Sequence, residues 1–203
     1  MIGIVEGSDP ALRQDYVVMG GHMDHCGSLG AGYYPGANDN ASGTAVAMEI
    51  GRAMALLDRK PKRSVVIALF GGEEMGLKGS EYFVTHLPGD LGKPAAMVNF
   101  DMAGEGEGAA CSFSPEPAAV KRILDEAEAV AKTLKDSSPL RPSDGGSDFA
   151  PFMAKGIPAL TCSSNGPHQA YHQLGDTIYR INPDVMADIA RLGYLAAFKL
   201  ADQ

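Results

Sequence analysis

Cysteine is scarce in this chain: among 203 residues only Cys26, Cys111 and Cys162 carry thiols. They are too few and too scattered for a disulfide framework, and no Cys-x-x-Cys spacing is present, which excludes the usual thiolate zinc and dithiol redox motifs. Three incidental thiols is the reading they support. Long apolar runs are missing as well, and nothing approaches the roughly 20 residues of a membrane span. The N-terminal stretch Met1-Ile2-Gly3-Ile4-Val5-Glu6-Gly7 has neither the basic segment nor the extended apolar segment of a secretory signal. Basic residues are the minority, 17 against 25 acidic, for a formal charge of −8. A negative field repels phosphate backbones, so neither nucleic acid nor a membrane is an expected partner.

What is present is an ordinary globular composition, 45% hydrophobic and 21% charged, with a length that suits one compact domain over residues 1–203. Short apolar runs punctuate the chain: Tyr16 to Met19, Ser64 to Phe70, Ala95 to Phe100 and Ile157 to Thr161. They are rich in β-branched residues and do not alternate with polar ones, as expected of strands covered on both faces. Between them, apolar residues recur at three- and four-residue steps, placing one stripe on a helix. Val46, Ile50, Ala53, Met54 and Leu57 form one such set. Val120 to Leu134 and Val185 to Ala196 form two more, and Gly76 to His86 suits a shorter helix. Ser114-Pro115 and Asn182-Pro183 read as helix starts, each a capping residue before proline. Met1 to Glu6 suits a strand paired with Tyr16 to Met19, while Cys26 to Gly43 and Ser137 to Phe149 read as loops. The fold class is α/β: three layers, with a mostly parallel or mixed central sheet and helices on both faces.

In open α/β sheets, ligands bind beyond the carboxyl ends of the strands. The first strand is followed by Gly20-Gly21-His22-Met23-Asp24-His25 and the second by Gly71-Gly72-Glu73-Glu74. The third runs into Asp101, and the fourth leads to Pro167-His168-Gln169-Ala170-Tyr171-His172. Each strand end thus delivers a metal-capable or proton-transferring group to one edge. A His/Asp/Glu set without cysteine suits zinc or another divalent transition ion. Asp39, in Gly36-Ala37-Asn38-Asp39-Asn40-Ala41-Ser42-Gly43 just before a helix, suits a carboxylate bridging two metals.

Six segments in order resemble the zinc aminopeptidases of the M28 peptidase family, with their phosphorylase/hydrolase-like fold. They are Gly21-His22-Met23-Asp24, Gly36 to Gly43, Gly72-Glu73-Glu74-Met75-Gly76-Leu77, Asn99-Phe100-Asp101-Met102, Ser147-Asp148 through Gly156-Ile157-Pro158, and Tyr171-His172 followed by Asp176-Thr177. The resemblance implies two Zn²⁺ ions per chain. Asp39 would bridge them, His22 and Asp101 would complete one site, and Glu74 and His172 the other. It also implies Glu73 as general base toward a metal-activated water, Asp24 as the group orienting His22, and Tyr171 as a donor to the developing oxyanion. The implied activity is removal of N-terminal residues from peptides with a free amino end. The alternatives are a glutaminyl cyclase-like or carboxypeptidase-like enzyme on the same scaffold, with Arg141 as a cation for a substrate carboxylate, or a non-catalytic homologue. Family members usually carry a further N-terminal segment, and they are often secreted or periplasmic. Only Met1 to Asp15 precede the first matching strand, so the expected chain is a minimal version of the domain, a homo-oligomer that covers the apolar surface left open, or a fragment.

Other residues have plainer readings. His25 and His168 read as loop residues at the rim and His86 as a helix-end residue. Met48 and Met54 read as core. Asp144, Ser147 and Asp148 suit either turn chemistry or a substrate-pocket wall with Phe149, Phe152 and Met153. Any one of Glu73-Glu74, Asp101 or His172, taken alone, suits an ordinary surface or capping position; their joint placement at strand ends is what argues for a site.

Overall fold

A computed structural model describes residues 1–87, 91–141 and 145–203. Asp144 lies outside the described residues. A seven-stranded sheet forms the middle layer, in the order β1-β5-β2-β6-β9-β7-β8. Its strands are β1 (Ile2–Val5), β2 (Tyr16–His22), β5 (Ser64–Phe70), β6 (Pro94–Phe100), β7 (Ala109–Phe113), β8 (Leu134–Pro139) and β9 (Ala159–Ser164). The four central strands β5, β2, β6 and β9 run parallel, so their carboxyl ends share one edge. β1 pairs antiparallel with β5, and β7 antiparallel with β9 and parallel with β8. A two-stranded hairpin, β3 (Ser28–Leu29) with β4 (Gly32–Tyr33), stands apart. The α/β class and mixed sheet are as the sequence implies.

Alternation along β2 sends neighbouring side chains to opposite faces. Val17 and Met19 join the larger core, built with α1 (Gly43–Ala55), α3 (Ala119–Ala131) and α5 (Pro183–Ala201). Tyr16 and Val18 join the smaller core, with α2 (Lys78–Thr85) and α4 (Phe149–Ala154). Helices therefore cover both faces. Backbone approach is closest at Gly20: a Cβ there would lie 1.7 Å from the Ala68 carbonyl oxygen, so no other residue fits between β2 and β5. Among the described residues no helix is long and apolar enough to cross a membrane.

Several local expectations are corrected. β1 pairs with β5, not with Tyr16 to Met19, because β2 already has β5 and β6 on its two sides and offers no free edge. Ser114 does not start a helix. Its hydroxyl accepts from the Ala159 amide at 2.8 Å, which extends the pairing with β9, and α3 begins at Ala119. That helix stops before Leu134, since Lys132 turns left-handed (φ 56°) and the Glu128 carboxylate accepts the amides of Thr133 and Leu134, handing the chain to β8. Asn182 does cap α5, its side chain accepting from the Asp184 amide at 3.1 Å. The expected loop Cys26 to Gly43 contains the β3–β4 hairpin and a tight turn over Ala37–Ser42 whose backbone is not helical at Asp39 and Asn40, and Ser137 to Pro139 belong to β8. Met54 is core but Met48 is 55% exposed, on the outer side of α1. Phe149 and Phe152 are buried in the smaller core with Met153 against them, so they do not form an open pocket wall.

The smaller core rests on the Phe70, Phe83 and Phe152 rings, whose centroids lie 5.7–6.2 Å apart. Phe152→Ala is expected to cost about 3–5 kcal/mol, read as a lowered urea midpoint. An unchanged midpoint would place the ring outside the core.

Candidate metal centre

The centre sits where the four parallel strands end. His22 is the last residue of β2, Glu73 and Glu74 follow β5, Asp101 follows β6, and the chain beyond β9 returns with Tyr171 and His172. Asp39 reaches the same point from the turn before α1. It is held there by Asp176, a buried carboxylate whose two oxygens accept the amides of Asn38 (2.8 Å) and Asp39 (2.9 Å). The side chains on either side of Asp39 lock the turn further. Asn38 Oδ1 accepts from the Gly104 amide at 2.8 Å. Asn40 donates to the Phe100 carbonyl and accepts from the amides of Gly43 and Met102. The loop is thereby tied to the end of β6, next to Asp101.

The two oxygens of Asp39 serve different imidazoles. Oδ1 lies 3.3 Å from His22 Nε2, and Oδ2 lies 3.2 Å from His172 Nε2. His22 Nε2 is also 3.4 Å from Asp101 Oδ1, and His172 Nε2 is 3.0 Å from Glu74 Oε2. Each imidazole nitrogen therefore faces two carboxylates. The other nitrogen of His22 fixes its tautomer: Nδ1 lies 3.1 Å from the Asp24 backbone carbonyl, which can only accept, so Nδ1 carries the proton. Nε2 is left with either a second proton or a lone pair for a cation. Asp39 Oδ2 and Asp101 Oδ1 are buried and receive no well-formed hydrogen bond. Buried carboxylates gathered on imidazole lone pairs are the donor chemistry of a divalent transition ion, and the residues fit such a group.

Asp24 contacts the His22 ring as expected, but through its backbone carbonyl. Its carboxylate lies 3.9 Å from His22 Nδ1 and accepts the amides of Glu73 (3.2 Å) and Glu74 (3.4 Å), so it also orients the turn that carries both glutamates. His25 is corrected outright. It is no rim residue: its side chain is 8% exposed, and Nδ1 lies 2.7 Å from Glu74 Oε1, leaving Oε2 to face His172. His168 is likewise engaged, Nδ1 accepting from Asn38 Nδ2 at 3.0 Å while Nε2 donates to the Ser164 carbonyl. Sequence reading missed the positioning roles of His25 and Asp176. The signal for Asp176 was its place in a matching segment; for His25 it was the step of three from His22.

Among the described residues, donor atoms within 4.8 Å of one another form three sets: His22–Asp39–Glu74, His22–Glu73–Asp101 and His25–Cys26–Glu74–His172. A cavity of about 330 Å³ opens over the centre, lined by His22, Asp39, Glu73, Asp101, Tyr171 and His172 among others, and no Lys or Arg lines it among the described residues. A larger groove, about 760 Å³, runs between α2 and α4 but gathers none of these groups. The Tyr171 ring stacks on His172 at 3.9 Å between centroids.

Protonation follows from this crowding. Burial would push the His22 imidazole down, but the Asp101 and Asp39 carboxylates beside its Nε2 more than reverse it, to about 11. Burial pushes Glu73 up to about 7, with the Asp101, Asp148 and Glu74 charges adding to it against His22. Burial also pushes Asp148 up to about 6.

The family model described as Peptidase family M28 matches residues 1–196. Among curated proteins, the chain is 32% identical over 161 residues to leupeptin-inactivating enzyme 1 of Streptomyces exfoliatus, covering 75% of this chain and 32% of that one. It is 31% identical over 193 residues to a probable glutamate carboxypeptidase of Arabidopsis thaliana, covering 87% and 27%. Among solved structures, an aminopeptidase from Aneurinibacillus sp. strain AM-1 superposes with a TM-score of 0.81 at 27% identity, covering 98% of this chain and 47% of that one. A zinc aminopeptidase from Bacillus subtilis superposes with a TM-score of 0.80 at 25% identity, covering 100% and 50%. The chain thus spans a quarter to a half of the length of these relatives.

Two outcomes follow from the centre. In the metal-free chain Glu73 and Asp148 hold protons more tightly folded than unfolded, so stability falls as pH rises from their ordinary ranges through about 6 and 7. His22 adds stability that is fully present below 6.5 and lost as pH rises toward about 11. The thermal midpoint of chelator-treated protein is therefore expected to fall from about pH 5.5 to 9, while zinc-loaded protein, which uses the deprotonated groups, does not follow it. A chelated midpoint that rises over this range would contradict the assignment. Separately, His25→Ala is expected to weaken zinc binding about 10–100-fold in chelator competition, since it releases the Glu74 carboxylate; unchanged affinity would leave His25 without a positioning role.

Proposed function

The chain belongs to peptidase family M28, and from that premise we propose that it is a zinc-dependent aminopeptidase, with residues 1–203 forming its catalytic domain and peptides with a free amino end as substrates. The carrying observation is the division of the carboxylates. Asp39 turns one oxygen to His22 and the other to His172, while Asp101 and Glu74 each take one of those imidazoles. This division supports a reading in which a pair of zinc ions would be held by His22, Asp39 and Asp101 on one side and by Asp39, Glu74 and His172 on the other. When bound there, zinc would supply Lewis-acid chemistry, polarising the scissile carbonyl and making water acidic.

Glu73, although its oxygen falls in a donor set with His22 and Asp101, is given no ion in this reading. It lines the cavity and its backbone is fixed by Asp24, which places a carboxylate beside the site to accept a proton and return it. In this reading Glu73 takes the proton from the attacking water and passes it to the departing amine nitrogen. Tyr171, over the same cavity, donates its hydroxyl hydrogen bond to the oxygen that gains charge. His25 and Asp176 hold Glu74 and Asp39 in place.

A carboxypeptidase reading is prompted by the plant relative's name, but it requires a cation for the substrate's terminal carboxylate. The absence of Lys and Arg among the described lining residues favours the amino end. The test is Glu73→Ala beside the unaltered chain, on free aminoacyl anilides and on N-blocked peptides. Unaltered protein is expected to hold about two zinc equivalents and to cleave only the free-amine substrates. The variant is expected to keep its zinc and fold and to lose about 10²–10⁴-fold in kcat. Near-normal turnover by the variant would remove Glu73 as base, and cleavage of blocked peptides from their carboxyl ends would reverse the direction.

A further inference from the structure

The buried sulfurs of Cys111 and Cys162 lie 2.9 Å apart in the larger core, and neither residue lines the cavity over the metal centre. Cys111 is on β7 and Cys162 on β9, and they are directly opposite partners in the antiparallel ladder, between the pairs Ala109–Ser164 and Phe113–Leu160. Opposite residues of an antiparallel pair send their side chains to the same face, with Cα atoms about 4.5 or 5.5 Å apart. Both spacings fall inside the range a disulfide spans. The sulfurs are only about 0.9 Å farther apart than a covalent S–S bond, so a small rotation of each side chain closes the gap without moving the strands. Cys111 is 3% and Cys162 0% exposed, both in the larger apolar core, where a disulfide is as compatible as two thiols.

We propose that Cys111 and Cys162 are a redox-modification site, forming a cross-strand disulfide by exchange with a small-molecule disulfide of the glutathione class. One cysteine thiolate attacks a sulfur of the oxidant and a first glutathione thiolate leaves. The second cysteine sulfur then attacks the mixed disulfide and expels the second. The two cysteine protons end on two glutathione thiols, and the two electrons released by the cysteines reduce the oxidant. The neighbouring Cys162 sulfur and burial hold the Cys111 thiol well above its ordinary range, so exchange proceeds while β7 and β9 are parted, during folding or local opening, and not in the closed core. The bond would close a loop between residues 51 apart in sequence. It would staple β7 to the strand whose continuation carries His168, Tyr171 and His172. This inference stands independently of the peptidase reading.

The test uses the full chain carrying Cys26→Ser, which removes the exposed thiol. Protein is equilibrated from both the reduced and the oxidised side in graded mixtures of reduced and oxidised glutathione, with and without urea, then alkylated and mapped by mass spectrometry. The expected product is a Cys111–Cys162 crosslink lighter by two hydrogens. Its disulfide-to-dithiol ratio in the folded state should exceed that in urea on the order of 30- to 1,000-fold, because a bond that stabilises the fold is stabilised by it. The oxidised chain should also melt on the order of 5–15 °C higher than the reduced one. A folded-state ratio no higher than in urea, a different crosslink, or an oxidised chain that melts no higher than the reduced one would overturn the proposal.

Discussion

The candidate centre depends on one constraint, the fixed position of the Asp39 carboxylate between two imidazoles. A free carboxylate in that place would be repelled by Glu74 and Asp101 and drawn toward water. It stays because its backbone has no freedom to withdraw: Asp176 grips the amides of residues 38 and 39 with both oxygens, and Asn38 and Asn40 pin the turn to the end of β6. Each of those anchors is buried, where a hydrogen bond to a charged group is worth more than at the surface. The fold spends several well-paired polar residues on holding one poorly paired carboxylate, which is how a site is preorganised for a cation.

The sheet supplies the rest of the convergence. Four parallel strands stand side by side, and residues at their carboxyl ends meet without long excursions of the chain. Gly20 and Gly21 let β2 run close to its neighbours, so His22 emerges beside Asp101 instead of being displaced by packing. The two cores on either face of the sheet hold these strand ends rigidly, and a site built on strand ends is more accurately placed than one built on loops alone. The exceptions are Asp39, on the turn before α1, and His172, which arrives on a long return from β9 with a left-handed backbone (φ 52°) and a partly exposed ring.

Around the donors lies a layer of residues that act on them. Asp24 orients the Glu73–Glu74 turn through its carboxylate and the His22 ring through its carbonyl, so one residue aligns both sides of the centre. His25 occupies one Glu74 oxygen and leaves the other for His172.

The residue pattern alone determined the α/β class, the central strands, α5 with its Asn182 cap, and the order in which chemistry-bearing residues leave the strand ends. Apolar periodicity and residue type are local, and both survive in a linear reading. Pairing and contact are not local. That β1 joins β5 follows from which strand edges remain free once β2 is enclosed. That Ser114 extends a ladder instead of capping a helix follows from Ala159 standing opposite it. That His25 belongs inside the centre, that Asp24 serves the glutamate turn, and that Cys111 meets Cys162 are decided only when segments 49–51 residues apart are brought together. A sequence states which groups are available; which of them touch depends on the closure of the chain around its two cores.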